Sequence, residues 1–71
     1  MTEPTIEIVV NGETRRITSP ATLLDLLGHL TLDPRSVVVE LNREIIRRPR
    51  LGETMLANGD SVELVHFVGG G

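Results

Sequence analysis

Along residues 5–10 the apolar side chains recur with period two and set Ile6, Ile8 and Val10 on one face, as a half-buried strand requires. Asn11-Gly12 follows, a dipeptide that supplies the positive φ angles of a two-residue hairpin turn. Residues 13–18 are polar apart from Ile17 and read as the return strand of an antiparallel hairpin. Ser19-Pro20-Ala21-Thr22 stops the extended chain and starts a helix, with Thr22 and Asp25 at capping-box spacing. Leu23, Leu26, Leu27 and Leu30 then form one helical stripe. Gly28 weakens that helix and Asp33-Pro34 marks its end or the loop beyond, so the predicted helix covers residues 23–30.

The second half is again extended. Residues 37–41 are β-branched and read as a buried third strand. Asn42-Arg43-Glu44 is a predicted turn, and residues 45–47 a brief fourth strand. Residues 48–57 are broken by Pro49 and Gly52, with Leu51, Met55 and Leu56 available to cover one edge of the core. Asn58-Gly59-Asp60 is a turn, and residues 62–68 form the last strand. Strands and helix are too intermixed for a bundle. One helix laid across a mixed sheet of four to five strands covers an apolar face economically in so short a chain. The predicted class is therefore α+β, a β-grasp or ubiquitin-like fold over residues 1–68, followed by a flexible glycine tail at 69–71.

Parity along the last strand separates two faces. Val62, Leu64 and His66 share one side, and Glu63, Val65 and Phe67 share the other. Glu63 faces water, which carries Val65 and Phe67 onto the exposed side, where they would form a docking patch. A bulge or a covering loop would instead bury Phe67. His66 falls on the core side near the rim and reads as structural rather than catalytic, and His29 has no partner in view.

Composition removes several alternatives. A chain of 71 residues buries only about 60% of the surface its unfolded form exposes, which leaves little room for a deep active site. There is no cysteine, hence no disulfide, no thiolate ligand and no thiol nucleophile. Neither a signal peptide nor a membrane span is expected, and a cytoplasmic location is favoured. A net charge of −3 and a single aromatic residue argue against nucleic-acid binding. All seven basic residues are arginine, so the chain cannot build lysine-linked polymers of itself. Arg43, Arg47, Arg48 and Arg50 cluster, either as a solvated face or as a docking patch for acidic or phosphate-bearing groups.

No nucleotide-binding motif, metal-ligand cluster or catalytic triad pattern is present. What remains is Val68-Gly69-Gly70-Gly71. Three terminal glycines are either a frayed end or a working one. Without side chains they can thread a narrow channel and present the α-carboxylate of Gly71 to another enzyme. ATP can activate such a carboxylate as an acyl-adenylate, and a sulfur donor can then displace AMP to leave a thiocarboxylate.

The stretch Val39-Glu40-Leu41-Asn42-Arg43-Glu44-Ile45-Ile46-Arg47, and then residues 58–71 with their Gly-Asp turn, hydrophobic strand and glycine end, resembles the ThiS family. These are the sulfur carriers of thiamine biosynthesis. The resemblance implies a β-grasp protein that is not itself an enzyme. Its carboxylate is adenylated by a ThiF-like, ubiquitin-activating-like partner using ATP and magnesium, with no cofactor or metal held by the chain. Sulfur arrives from a donor such as a cysteine desulfurase, and the thiocarboxylate delivers it to thiazole synthase. By position, Gly71 carries the thiocarboxylate, Gly70 completes the Gly-Gly motif and Gly69 extends the tail. Val65, Phe67 and Val68 match the apolar partner-binding surface before it. The arginine density between Arg43 and Arg50 departs from the family pattern. The alternatives are the small subunit of molybdopterin synthase, a ubiquitin-like protein modifier, and a plain interaction module.

Overall fold

The computed structural model describes residues 3–67. Period-two alternation builds β1 (Thr5–Val10), and β2 (Glu13–Thr18) returns antiparallel to it, with Val10 opposite Glu13 and Thr5 opposite Thr18. The turn between them has φ of 49° at Asn11 and 84° at Gly12, the two positive angles of a type I′ turn.

Helix α1 (Leu23–His29) starts on the expected capping box: Asp25 N–H donates to the Thr22 hydroxyl oxygen at 3.1 Å, and Thr22 N–H to the Asp25 carboxylate at 2.9 Å. Leu23, Leu26 and Leu27 are buried and Leu30 is half-buried, which is the predicted stripe. The helix ends one residue earlier than expected, with Leu30 as C-cap. Thr31 N–H donates to Gly28 C=O and Leu32 N–H to Leu27 C=O, the paired bonds of a Schellman stop. That stop puts Thr31 at φ 58°, where glycine is the usual occupant.

A short 3₁₀ turn at Pro34–Ser36 leads into β3 (Val37–Leu41). The following turn is tighter than the sequence pattern suggests. Asn42 and Arg43 take φ of 51° and 73°, so the loop has two residues. Glu44 leaves the turn and joins β4 (Glu44–Ile46) opposite Leu41. Residues 48–57 are irregular apart from a 3₁₀ turn at Arg48–Arg50 and one bridge between Met55 and Thr22. That bridge extends the backbone, so Leu56 turns inward while Met55 stays 54% exposed. Leu51 and Leu56 therefore cover the core and Met55 does not. The last strand, β5, is Ser61–His66, shorter than the predicted residues 62–68: Phe67 follows it and Val68 lies outside the described residues.

The sheet order is β2-β1-β5-β3-β4. β5 runs parallel to β1 and antiparallel to β3, and β1–β2 and β3–β4 are antiparallel hairpins. The expected mixed sheet under one main helix, the β-grasp arrangement, is thus observed. Ile8, Val10, Val37, Val39, Val62 and Leu64 meet the helix leucines, Leu51 and Leu56 in one core, and among the described residues no polar side chain is buried. Burial of this kind contributes about 25 cal/mol per Å² of apolar surface and is the main force holding so small a sheet.

Candidate functional site

β5 is central in the sheet although it is the last strand described; two asparagines fasten it, and a third ties the turn before it to β1. β1 ends at Val10, so a side chain continues the ladder. Asn11 Oδ1 accepts from Leu64 N–H at 2.7 Å, its Nδ2 donates to Leu64 C=O at 3.3 Å, and its own N–H donates to Val62 C=O at 2.9 Å. On the other flank Asn42 N–H donates to Ser61 C=O at 2.7 Å, Asn42 Oδ1 accepts from Ser61 N–H at 2.9 Å, and Nδ2 donates to the Asp60 carboxylate at 3.0 Å. Asn58 Oδ1 accepts from Glu7 N–H at 2.9 Å. The Asn11 and Asn42 side chains each use both the donor and the acceptor of an amide, as a peptide group does, so a strand with short neighbours is held as if its ladder were longer. These residues were visible in the sequence only as turn formers.

The predicted parity holds. Val62 and Leu64 are buried, while Glu63, Val65 and Phe67 lie exposed, Val65 at 56% and Phe67 at 59%. No bulge intervenes, since Val37 to Leu41 pair with His66 to Val62 without a break. Phe67 N–H donates to Ser36 C=O at 2.9 Å, which keeps the chain on the line of β5 one residue beyond the strand.

The structure adds two residues to this patch. Val38 stands directly opposite Val65, and Ile45, 60% exposed, follows on β4 opposite Glu40. Strand parity could have placed Val38 on this face, but only the tight turn at Asn42-Arg43 sets the parity of Ile45. The four apolar side chains occupy the sheet face away from the helix. An exposed apolar cluster of this kind on a small domain marks a surface for a partner. Beside it, Glu40 faces Glu63 across the β3–β5 pair, a like-charge juxtaposition that costs stability.

The other candidates are placed as follows. His66, expected on the core side near the rim, is instead exposed because it ends β5 beyond the core, and His29 is exposed in the last turn of α1; neither side chain makes a hydrogen bond or an ion pair among the described residues. Among the described residues no group of three His, Cys, Asp or Glu side chains is placed to hold a metal ion. No helix among them is long and apolar enough to cross a membrane. The Asp33 carboxyl is held below its ordinary range, first by side-chain hydrogen bonds from Arg35 and then by the Arg35 backbone N–H. Arg35 N–H donates to Asp33 Oδ1 at 2.8 Å, and the guanidinium grips both carboxylate oxygens at 3.2 and 3.0 Å. The expectations for Val68, Gly69, Gly70 and Gly71 fall outside the described residues.

The model of the ThiS family matches residues 8–71. The sulfur carrier protein ThiS of Bacillus subtilis is 48% identical over 50 residues, which is 70% of this chain and 76% of that protein. A protein of Paramagnetospirillum magneticum named thiazole synthase is 39% identical over 66 residues, 93% of this chain but 20% of that protein. This chain thus spans about one fifth of the length of that relative, and of a second thiazole synthase from Magnetococcus marinus. The crystal structure of the thiamine biosynthesis protein ThiS from Geobacter metallireducens superposes with a TM-score of 0.80 at 32% identity, covering 93% of this chain and 100% of that one. With the fold, the strand parity and the matched segment in agreement, the chain is a member of the ThiS family.

Proposed function

We propose that this chain is the sulfur carrier of thiamine biosynthesis, a co-substrate acted on by partner enzymes. The observation that carries the proposal is the exposed pair of Val65 on β5 and Phe67 just after it, two residues before Gly69-Gly70-Gly71 in sequence, in a chain of this family. The carboxylate of Gly71 attacks the α-phosphate of ATP in an adenylating partner and releases pyrophosphate. The outer sulfur of a donor, such as the persulfide of a cysteine desulfurase, then displaces AMP to form an acyl disulfide; a thiol attacks the donor's inner sulfur, breaking the S–S bond, and leaves the thiocarboxylate on Gly71 and the donor cysteine as a mixed disulfide. That soft nucleophile passes its sulfur to thiazole synthase.

The chain's own residues supply recognition and reach. Val65, Phe67 and Val68 bring the domain against a partner, and Gly69 and Gly70 need no width in the channel that admits them. ATP and magnesium belong to the adenylating enzyme. Two relatives named thiazole synthase contain a segment similar to this chain, which supports thiazole synthase as the acceptor.

The test is intact mass after incubation with the adenylating enzyme, ATP and a sulfur donor. A gain equal to sulfur replacing one oxygen is expected, and it vanishes when Gly71 is deleted. No gain with a competent partner set overturns the proposal. Capture by the large subunit of molybdopterin synthase, and not by thiazole synthase, assigns the chain to the other carrier class.

A further inference from the structure

The seven arginines divide into two groups. Arg15, Arg16 and Arg35 each pair with a carboxylate, Glu13, Glu7 and Asp33 respectively. Arg43, Arg47, Arg48 and Arg50 are exposed and make no ion pair with any described carboxylate. Arg43 lies in the turn before β4, and Arg47, Arg48 and Arg50 follow where the chain leaves it. Asp33, the acidic group whose titration feels Arg48, is already engaged by Arg35.

Beside them the sheet has an open edge. β4 pairs with β3 only from Leu41 to Val39, and its track ends at Ile46. Asn42 N–H and Ser36 C=O are both bonded to the β5 side. By alternation, Val37, Val39 and Leu41 aim their N–H and C=O groups at the β4 side. Val39 and Leu41 find β4 there. Val37 does not, because the chain turns away at Arg47 into the 3₁₀ turn at Arg48–Arg50, and among the described residues no hydrogen bond to Val37 occurs on that edge. The gap is a groove of about 280 Å³ whose lining includes the apolar Val38, Ile45 and Phe67, the basic Arg35, Arg47 and Arg48, and Val37, which is itself 7% exposed.

The geometry points to this groove as the seat of an extended acidic segment of a partner protein, lying where β4 would have continued and adding its backbone to the free edge at Val37. Three features converge. A strand edge left unpaired can accept an extended peptide through main-chain hydrogen bonds. Guanidinium groups without partners select carboxylates through paired hydrogen bonds. Phe67 belongs both to the groove and to the surface before the tail, so the segment would hold the glycine end in register with the partner's channel. A polyphosphate or nucleic-acid occupant would use the arginines but not the strand edge or the apolar wall. The inference rests on the carrier reading above for the identity of the partners, but not for the chemistry of the groove.

Two experiments on the full chain test it. Arg47→Glu/Arg48→Glu is compared with wild type in adenylation and in sulfur delivery to thiazole synthase, at low and high salt. With at least one partner the second-order rate constant is expected to fall about tenfold or more at low salt, and the defect to shrink as salt screens the charges. Unchanged rates with both partners overturn the inference, whereas a wild-type chain inert in both assays overturns the carrier reading. Both side chains are exposed, so the unfolding curve should not move; if it does, Arg47→Ala/Arg48→Ala replaces the charge reversal.

The second experiment does not depend on the carrier reading. The ¹⁵N-labelled chain is titrated with a peptide of alternating valine and glutamate, with its valine–lysine counterpart, and with tripolyphosphate. The glutamate peptide alone is expected to shift the Val37 amide, and the shift is lost in the arginine variant. An equal response to both peptides, a response to neither, or tighter binding of tripolyphosphate overturns the inference.

Discussion

Replacing Asn11 probes how the last strand is held. Its side chain makes two hydrogen bonds to the backbone of Leu64, at 2.7 and 3.3 Å, in the position where β1 has already ended. Leu64 is only 8% exposed, so water replaces these bonds poorly. Asn11→Gly keeps the backbone free to hold φ near its native 49° but leaves the Leu64 N–H and C=O without that partner. A part-buried donor left unmade costs about 1–3 kcal/mol. Asn11→Ala loses the same bonds and must also place an ordinary residue in the left-handed region, a further cost of about 1 kcal/mol. The expected losses are therefore about 1–3 kcal/mol for glycine and about 2–4 kcal/mol for alanine. Either is a large share of a domain stability of about 5–15 kcal/mol. Equilibrium urea unfolding measures both variants, and hydrogen exchange at Leu64 should quicken beyond the global change. If Asn11→Gly unfolds within about 0.5 kcal/mol of wild type, or alanine is milder than glycine, the side-chain ladder is not what secures β5.

Four further outcomes are expected. Thr31→Gly should stabilise the domain by about 1 kcal/mol, since a β-branched residue sits at φ 58° in the helix stop; an unchanged or lowered urea midpoint contradicts this. Thr22→Ala should cost about 1 kcal/mol by removing the hydroxyl that accepts from Asp25 N–H, read from the same unfolding curves. Val65→Asp and Phe67→Ala should each move stability by no more than about 0.5 kcal/mol because both side chains are largely exposed. They should nevertheless slow adenylation, and normal kinetics with both variants would remove the docking role. Asp33, whose carboxyl is lowered by Arg35, contributes stability that is complete above the ordinary aspartate range. It is lost as pH falls through the depressed native value, below about pH 4. Unfolding midpoints measured across that window should converge for wild type and Asp33→Asn, and parallel curves would refute the assignment.

The local elements were legible because the signals that make them are local. Ile6, Ile8 and Val10 alternate because a strand does, and the leucines from 23 to 30 recur because a helix does. Asn11-Gly12 names its turn, and Thr22 with Asp25 names its cap. The departures have equally specific causes. The turn at Asn42-Arg43 carries no glycine, so its two positive φ angles were not announced and β4 was placed one residue late. Thr31 in a position suited to glycine gave no sign of the helix stop. Met55 belonged to the apolar set by type, and the bridge to Thr22 turned it outward.

By itself the sequence determined the elements, the parity that exposes Val65 and Phe67, and the glycine end that carries the family resemblance. All of these follow from chain geometry within a few residues. The tertiary structure alone decided that the last strand lies in the middle of the sheet, beside β1 and β3. It likewise decided that Asn11 reaches across 53 positions to Leu64, and that the end of β4 leaves an open edge among unpaired arginines next to Phe67. Pairings of that range are chosen by which arrangement buries one face of every strand against a single helix. That choice belongs to the whole chain at once and leaves no mark on any one segment.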